Sequence, residues 1–100
     1  MSELCLTVLC PPEVEEKLLD ALLANVTDRI FTTTPTFSHG MAHGLLDKSE
    51  QVMGRSHAIQ LQILTGPAEL TELLETLRVD FAGTGLRYWT VPLSHVGEIK

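Results

Sequence analysis

Histidines at a long polar loop are the residues of this chain whose types and spacing best suit metal binding. His39 and His43 form an H-x3-H pair within the segment SHGMAHG. On a helix, residues with this spacing share a face and can bind one metal ion. In an extended strand they would lie about 13 Å apart, which is too far to share a zinc ion whose bonds to nitrogen are ~2 Å long. The pair therefore needs a compact turn or another ligand.

His57 supplies such a ligand because it lies at the start of the strand that follows the loop. In a hairpin centred near Lys48, His39 and His57 would face each other with their Cβ atoms about 5 Å apart. Side chains of the loop or of a neighbouring subunit could complete the coordination shell. A shell that contains imidazoles favours Zn, Cu, Ni, Co or Cd over Mg or Ca. We predict a transition-metal site at His39, His43 and His57. The alternative is that they are solvent-exposed loop histidines in an acidic protein.

The loop itself, within residues 37–55, is too polar and too rich in glycine to form part of a core. About 14 residues is long for a loop in a small domain, and long loops are usually functional or disordered. We expect residues 40–53 to be the least ordered part of the chain. Met41 and Met53 could ligate Cu(I), but methionines in such a loop favour a flexible contact surface.

Composition excludes several classes of partner and chemistry. A net charge of −6 with scattered basic residues argues against nucleic acid. No apolar run approaches the ~20 residues of a membrane span, and the N-terminus has no basic region, which predicts a cytoplasmic protein without membrane insertion. The sequence contains no nucleophile elbow, HExxH, Walker loop or CxxC motif, so we expect no enzymatic activity.

The two cysteines are not expected to form a disulfide. Cys5 and Cys10 fall in one predicted strand, about 16 Å apart and on opposite faces, whereas a disulfide needs Cα atoms within ~7 Å. We interpret both as small buried apolar residues in a reducing compartment.

Periodicity and turn residues predict the elements that must position these groups. Segments in which apolar and polar residues alternate, or which are rich in β-branched residues, indicate strands. Segments with apolar residues three and four positions apart and a proline at their start indicate helices. The predicted strands are residues 4–10, 29–37, 56–64 and 86–93, and the predicted helices are 13–26 and 67–81. The order β-α-β-β-α-β in one domain of residues 1–100 predicts an α+β, ferredoxin-like sandwich. Pro35 makes the second strand an edge strand or a bulge.

One face of this sheet has no helix to cover it. It would carry Cys5, Thr7, Leu9, Gln60, Gln62 and Trp89. This surface is too apolar to stay exposed on a monomer, which predicts a homo-oligomer, with cyclic symmetry as the default.

Two short segments carry a resemblance to a known superfamily. They are FSHG at residues 37–40 and SEQVMGR at residues 49–55, with weaker support from Val91-Pro92. With the element order, they resemble the PII/CutA superfamily of trimeric regulators. The most similar group is the PII-like proteins classed as a domain of unknown function and typically encoded beside heavy-metal efflux pumps. The resemblance implies a homotrimer, closed around a three-fold axis.

The resemblance also implies ligand sites in the cleft between subunits. PII proteins bind ATP through a turn of the form TGxxGDGK, but residues 82–87 here lack its aspartate and lysine, so only Arg87 could bind phosphate. Glu50 and Arg55 form a local ion pair in one interpretation; the resemblance adds a second, in which Arg55 faces an anionic ligand. Tyr88 is the only tyrosine, so the loop tyrosine that is uridylylated in some PII proteins has no counterpart.

The resulting functional hypothesis is a non-enzymatic regulatory trimer in signal transduction. It would respond to a transition or heavy metal and act on a component of a metal-efflux system, in heavy-metal resistance. One alternative is a CutA-like metal-binding tolerance protein without a signalling partner. The others are a nucleotide-binding PII-like regulator and an enzyme that acts on nucleotides in the subunit cleft.

Overall fold

The computed structural model describes residues 3–25, 29–40 and 55–100, and in these ranges the chain forms a four-stranded antiparallel sheet and two helices. In chain order the elements are β1 (Leu4–Cys10), α1 (Glu15–Asn25), β2 (Phe31–His39), β3 (Arg55–Thr65), α2 (Pro67–Asp80) and β4 (Arg87–Pro92). The predicted order β-α-β-β-α-β is confirmed. The loop expected over residues 40–53 lies, apart from Gly40, outside the described residues.

Prolines and glycines set the ends of the helices. β1 stops before Pro11, and a 3-10 turn (Pro12–Val14) leads from there into α1. Pro67 occupies the first turn of α2, where its missing N–H would have no intrahelical partner. Past the end of α2, Gly83 adopts a φ of +78°, a conformation that residues with a Cβ rarely take.

The strands are arranged in the order β2-β3-β1-β4, so that β2 and β4 form the edges of the sheet. Pro35 lies in edge strand β2, as predicted, since proline has no N–H to donate to a second neighbour. β2 begins at Phe31 and ends at His39, two residues later at each end than predicted. The central strands β1 and β3 pair from Leu4 with Thr65 to Cys10 with Ile59.

Both helices pack on one face of the sheet and bury its apolar residues. The core consists of Leu6, Val8, Cys10, Leu61 and Ile63 from the sheet, Leu18, Leu22, Leu73 and Leu77 from the helices, and Phe81, which directly follows α2. Leu6 and Val8 alternate along β1 with residues of the opposite face, as period-two patterning requires. This packing orients the sheet, and no helix of the described residues covers its other face.

The opposite face carries the residues that were expected there, and part of it is exposed. Cross-strand pairing puts Thr7 beside Gln62 and Trp89. Thr7 is nevertheless buried, and the Gln62 side-chain amide donates a hydrogen bond of 3.4 Å to its hydroxyl. The exposed apolar groups on this face are Leu64 (37%), Trp89 (46%) and Val91 (48%). A patch of this kind is suited to bury against another protein surface.

Cys5 and Cys10 are both free, as predicted from their positions in one strand. Of the described residues, none belongs to a helix that is long and apolar enough to cross a membrane.

Candidate functional site

A cleft opens in the described part of the chain where β1 ends. β1 stops at Cys10, but β3 extends to Arg55, and its residues 55–58 pair with residues 36–39 of β2. We call these two strand segments the hairpin arm. Across from the arm lies the turn that follows α2, residues 83–85, here called the glycine turn. Between them is a cleft of about 590 Å³, the arm cleft.

Two of the three proposed metal ligands, His39 and His57, line the arm cleft. The prediction that they face each other is wrong, because His57 pairs with Phe37 and His39 pairs with Arg55. The pairing of the two strands is shifted by two residues from the predicted register. Because this shift is even, each side chain remains on the face predicted for it. His39 and His57 are therefore diagonal neighbours on one face, at a typical separation of ~7–8 Å. That separation still allows both imidazoles to approach one ion.

Contacts at the base of the arm restrain one of these histidines. The ring of His57 lies against Phe37, with 4.8 Å between ring centroids and an angle of 46° between the planes. On the other face of the arm, the hydroxyls of Ser38 and Ser56 are 2.8 Å apart and join β2 to β3. Both histidines are exposed, so solvent and ligands can reach them. The arm thus presents two accessible imidazoles from a paired, hydrogen-bonded base.

The described side chains alone do not complete a metal site. Among the residues that the structure describes, no group of three or more His, Cys, Asp or Glu side chains is placed to hold a metal ion. His43 and Glu50 lie outside the described residues, and the side chain of Arg55 is likewise not described. Zinc, copper and nickel sites take three or four protein ligands, and two imidazoles could supply two of them. The other ligands would come from beyond the described ranges or from a second subunit.

The wall opposite the arm carries a positive charge and a capped helix end. Arg87, the first residue of β4, lines the arm cleft together with the glycine turn. Gly83 and Gly85 have φ values of +78° and +86°. The N–H of Phe81 donates to the carbonyl of Leu77 and caps α2, and the hydroxyl of Thr84 donates to the carbonyl of Phe81 over 2.6 Å in the turn that follows. An anion in the cleft would therefore meet the guanidinium of Arg87.

Sequence reasoning did not assign Cys10 or Glu13, both of which line the cleft. Cys10 is buried, and its thiol donates to the carbonyl of Pro11 over 3.1 Å. Burial, with smaller contributions from Glu15 and Glu13, raises the pKa of Cys10 to about 11. The thiol is thus protonated near neutral pH and is a weak ligand, because metals bind the thiolate. The only sequence signal for this position was the strand end marked by the two prolines.

Comparison with protein families gives a match over the whole chain. The model of the DUF3240 family, described as a protein of unknown function, matches residues 1–100. No curated protein matches this sequence.

Solved structures with the same fold include members of three groups. A DUF3240 family protein from Shewanella baltica OS155 is 16% identical, with 100% of this chain and 99% of that chain covered and a TM-score of 0.80. CPII, a nitrogen regulatory PII-like protein from Thiomonas intermedia K12 bound to ADP, AMP and bicarbonate, is 13% identical, with coverage of 99% and 98% and a TM-score of 0.74. The periplasmic divalent cation tolerance protein CutA from Archaeoglobus fulgidus is 12% identical, with coverage of 96% and 88% and a TM-score of 0.70. At such identities the likeness shows the fold, and it confirms the expected PII-like and CutA-like architecture.

Proposed function

Because this chain belongs to the DUF3240 family and has the PII-like and CutA-like fold, we propose that it is a non-enzymatic, cytoplasmic regulatory homotrimer that senses a transition-metal ion. The carrying observation is the arm cleft, which His39 and His57 line from the hairpin arm and Arg87 lines from the start of β4. The two histidines lie on the strands that residues 41–54 connect. An effector bound to them would be linked directly to that segment, which would engage or release the protein partner.

The metal role rests on the chemistry of the two exposed imidazoles. His39 and His57 share a face of the hairpin arm, and neutral imidazole is a good ligand for zinc, copper, nickel and cobalt. His43, or a residue from a neighbouring subunit, would complete the shell. The efflux-system partner is proposed from the resemblance to proteins encoded beside heavy-metal efflux pumps. A CutA-like tolerance protein would use the same ligands but would have no signalling partner.

A second candidate effector is an anionic nucleotide, and three observations favour it. The volume of the arm cleft, about 590 Å³, lies within the usual ~300–1,000 Å³ of small-molecule sites. Arg87 lines the wall that the glycine turn forms. The similarly folded Thiomonas protein is bound to ADP, AMP and bicarbonate. In this proposal Arg87 contacts phosphate, with Arg55 and Glu50 as further contacts.

The homotrimer is proposed from the sheet face that the helices leave uncovered. Leu64, Trp89 and Val91 expose apolar surface there, and burying such surface drives association. A closed ring of three copies covers this face on every subunit, in agreement with the superfamily resemblance. It would also bring a second chain towards the sites of each subunit.

Calorimetric titration tests the two effectors separately. Zn, Cu, Ni, Co and Cd would be titrated into the wild-type protein and into His39→Ala, His57→Ala and the double variant. Either single change should weaken metal binding at least ~10-fold, or ~1.4 kcal/mol, whereas His95→Ala, exposed and outside the cleft, should have no effect. An unchanged affinity in the double variant would remove the metal site.

To test the nucleotide, ATP, ADP and cyclic AMP would be titrated into the wild-type protein and into the variant Arg87→Gln. Nucleotide binding that is lost in this variant but kept in the histidine variants would support the second candidate over the first. Hydrogen exchange across residues 41–54 then separates a sensor from a buffer. A sensor should change its exchange there when the effector binds, whereas a preformed buffer site should not.

A further inference from the structure

A second, smaller pocket lies between α2 and the edge strand β4. Its volume is about 140 Å³, and none of its lining residues belongs to the arm cleft. Val8, Leu77 and Phe81 are buried core residues that line it, together with the partly buried Leu74 and Leu86. An apolar cavity of about 150 Å³ is large enough for a benzene ring. The size and lining of this α2–β4 pocket therefore suit a single aromatic ring or a short aliphatic chain.

The lining of this pocket also includes two polar groups. Arg78, from the last turn of α2, and Tyr88, from β4, both line it, and both are largely accessible to solvent. The side chain of Tyr88 lies near Arg78 and is the largest cause of the raised pKa of that guanidinium. Glu75, one turn earlier, receives an Arg78 N–H over 3.2 Å. A guanidinium has five N–H donors in a planar fork, so these two contacts leave donors for a third group.

We infer that the α2–β4 pocket binds a small monocarboxylate with an apolar tail, such as an aromatic or short-chain fatty acid. The tail would replace water against Phe81, Leu74 and Leu86. The carboxylate would lie at Arg78, where a guanidinium can form two parallel hydrogen bonds to it. A neutral ligand would forgo the charge-assisted bonds. This site is independent of the effector proposed for the arm cleft.

Benzoate is a suitable probe, and NMR on the full ¹⁵N-labelled chain shows where it binds. Titration should shift the amides of residues 77–82 and 86–88 in a saturable manner. Benzyl alcohol keeps the ring without the charge, and acetate keeps the charge without the ring. Each should bind at least ~10-fold more weakly than benzoate, because benzyl alcohol lacks the carboxylate that binds Arg78 and acetate lacks the ring that fills the pocket.

Two variants test the two halves from the protein side. Arg78→Gln should weaken benzoate binding at least ~10-fold, or ~1.4 kcal/mol. Ala82→Leu adds volume at an exposed position that lines the pocket and should weaken it similarly without disturbing the fold. The matched control is Arg87→Gln, an arginine outside this pocket, which should bind benzoate like the wild type. Shifts confined to the arm cleft, or equal affinities for the wild type and both pocket variants, would overturn the assignment.

Discussion

The exposed indole of Trp89 gives the most direct test of the proposed trimer. Trp89 lies on the sheet face without helices and is 46% exposed in the single chain. In the trimer this surface would be buried against a second copy, so Trp89→Ala should weaken association. The neighbouring residue Tyr88 is exposed to a similar extent, 48%, but its pairing with Val8 puts it on the helix-covered face. Tyr88→Ala is therefore a matched control, a truncation on the same strand and the opposite face.

The size of the effect follows from the area involved. A large aromatic side chain buries roughly 150–250 Å², so the exposed part of Trp89 offers about 100 Å² for the interface. At about 25 cal/mol per Å², this is worth ~2.5 kcal/mol per subunit, or ~7.5 kcal/mol for three. The dissociation constant of a trimer scales with the square of the protein concentration. The concentration of half-dissociation should consequently rise by roughly 100-fold or more.

Light scattering after size exclusion, over a dilution series, measures this concentration. The wild type and Tyr88→Ala should elute at three times the chain mass of 11.0 kDa at micromolar concentration, and Trp89→Ala should dissociate on dilution. Circular dichroism of each variant confirms that the fold is retained. A wild-type protein that is monomeric at micromolar concentration would refute the trimer. A trimer that is equally stable in all three proteins would show that this face is not the interface.

Three further predictions concern the single chain. Burial raises the pKa of Cys10 from 9.0 to about 11, so its thiolate near pH 8 should be ~100-fold scarcer than in the unfolded chain. Mass spectrometry should therefore show slow alkylation of the folded protein and fast alkylation in urea. Fast alkylation of the folded protein would contradict this. Leu22→Ala removes a side chain that is 1% exposed and should lower the free energy of unfolding by about 2–5 kcal/mol in urea titrations at fixed protein concentration. Leu23→Ala, at 62% exposure, should change it by less than about 0.5 kcal/mol, and equal losses would refute the packing of α1. In Gly83→Ala the added Cβ would have no atom within 4 Å, but the residue would need a φ of +78°. The same titration should show that the free energy of unfolding falls by about 1–2 kcal/mol because of the backbone conformation alone. An unchanged free energy of unfolding would mean that the turn relaxes.

Much of the architecture could be predicted from local patterns in the sequence. The bounds of β1 agree with prediction, since the alternating segment LCLTVLC is followed at once by two prolines. α2 begins at Pro67 as predicted and ends at Asp80, one residue before the predicted end. Trp89 shares a face with Thr7, as expected. These features depend on neighbouring residues, so periodicity and turn chemistry are sufficient to determine them.

The site depended on relations between distant segments that local patterns do not encode. Hydrophobic alternation specifies which face a residue occupies, and it is unchanged when a strand pair shifts by two residues. It therefore put His39 and His57 on one face but could not decide that His57 lies opposite Phe37. The arm cleft likewise exists because β3 extends past the end of β1 while the glycine turn returns beside it. The sequence by itself determined the order of elements and the faces of their residues. Only the tertiary structure decided which of those residues meet, since strand register and the path of the connecting turns depend on packing across the whole domain.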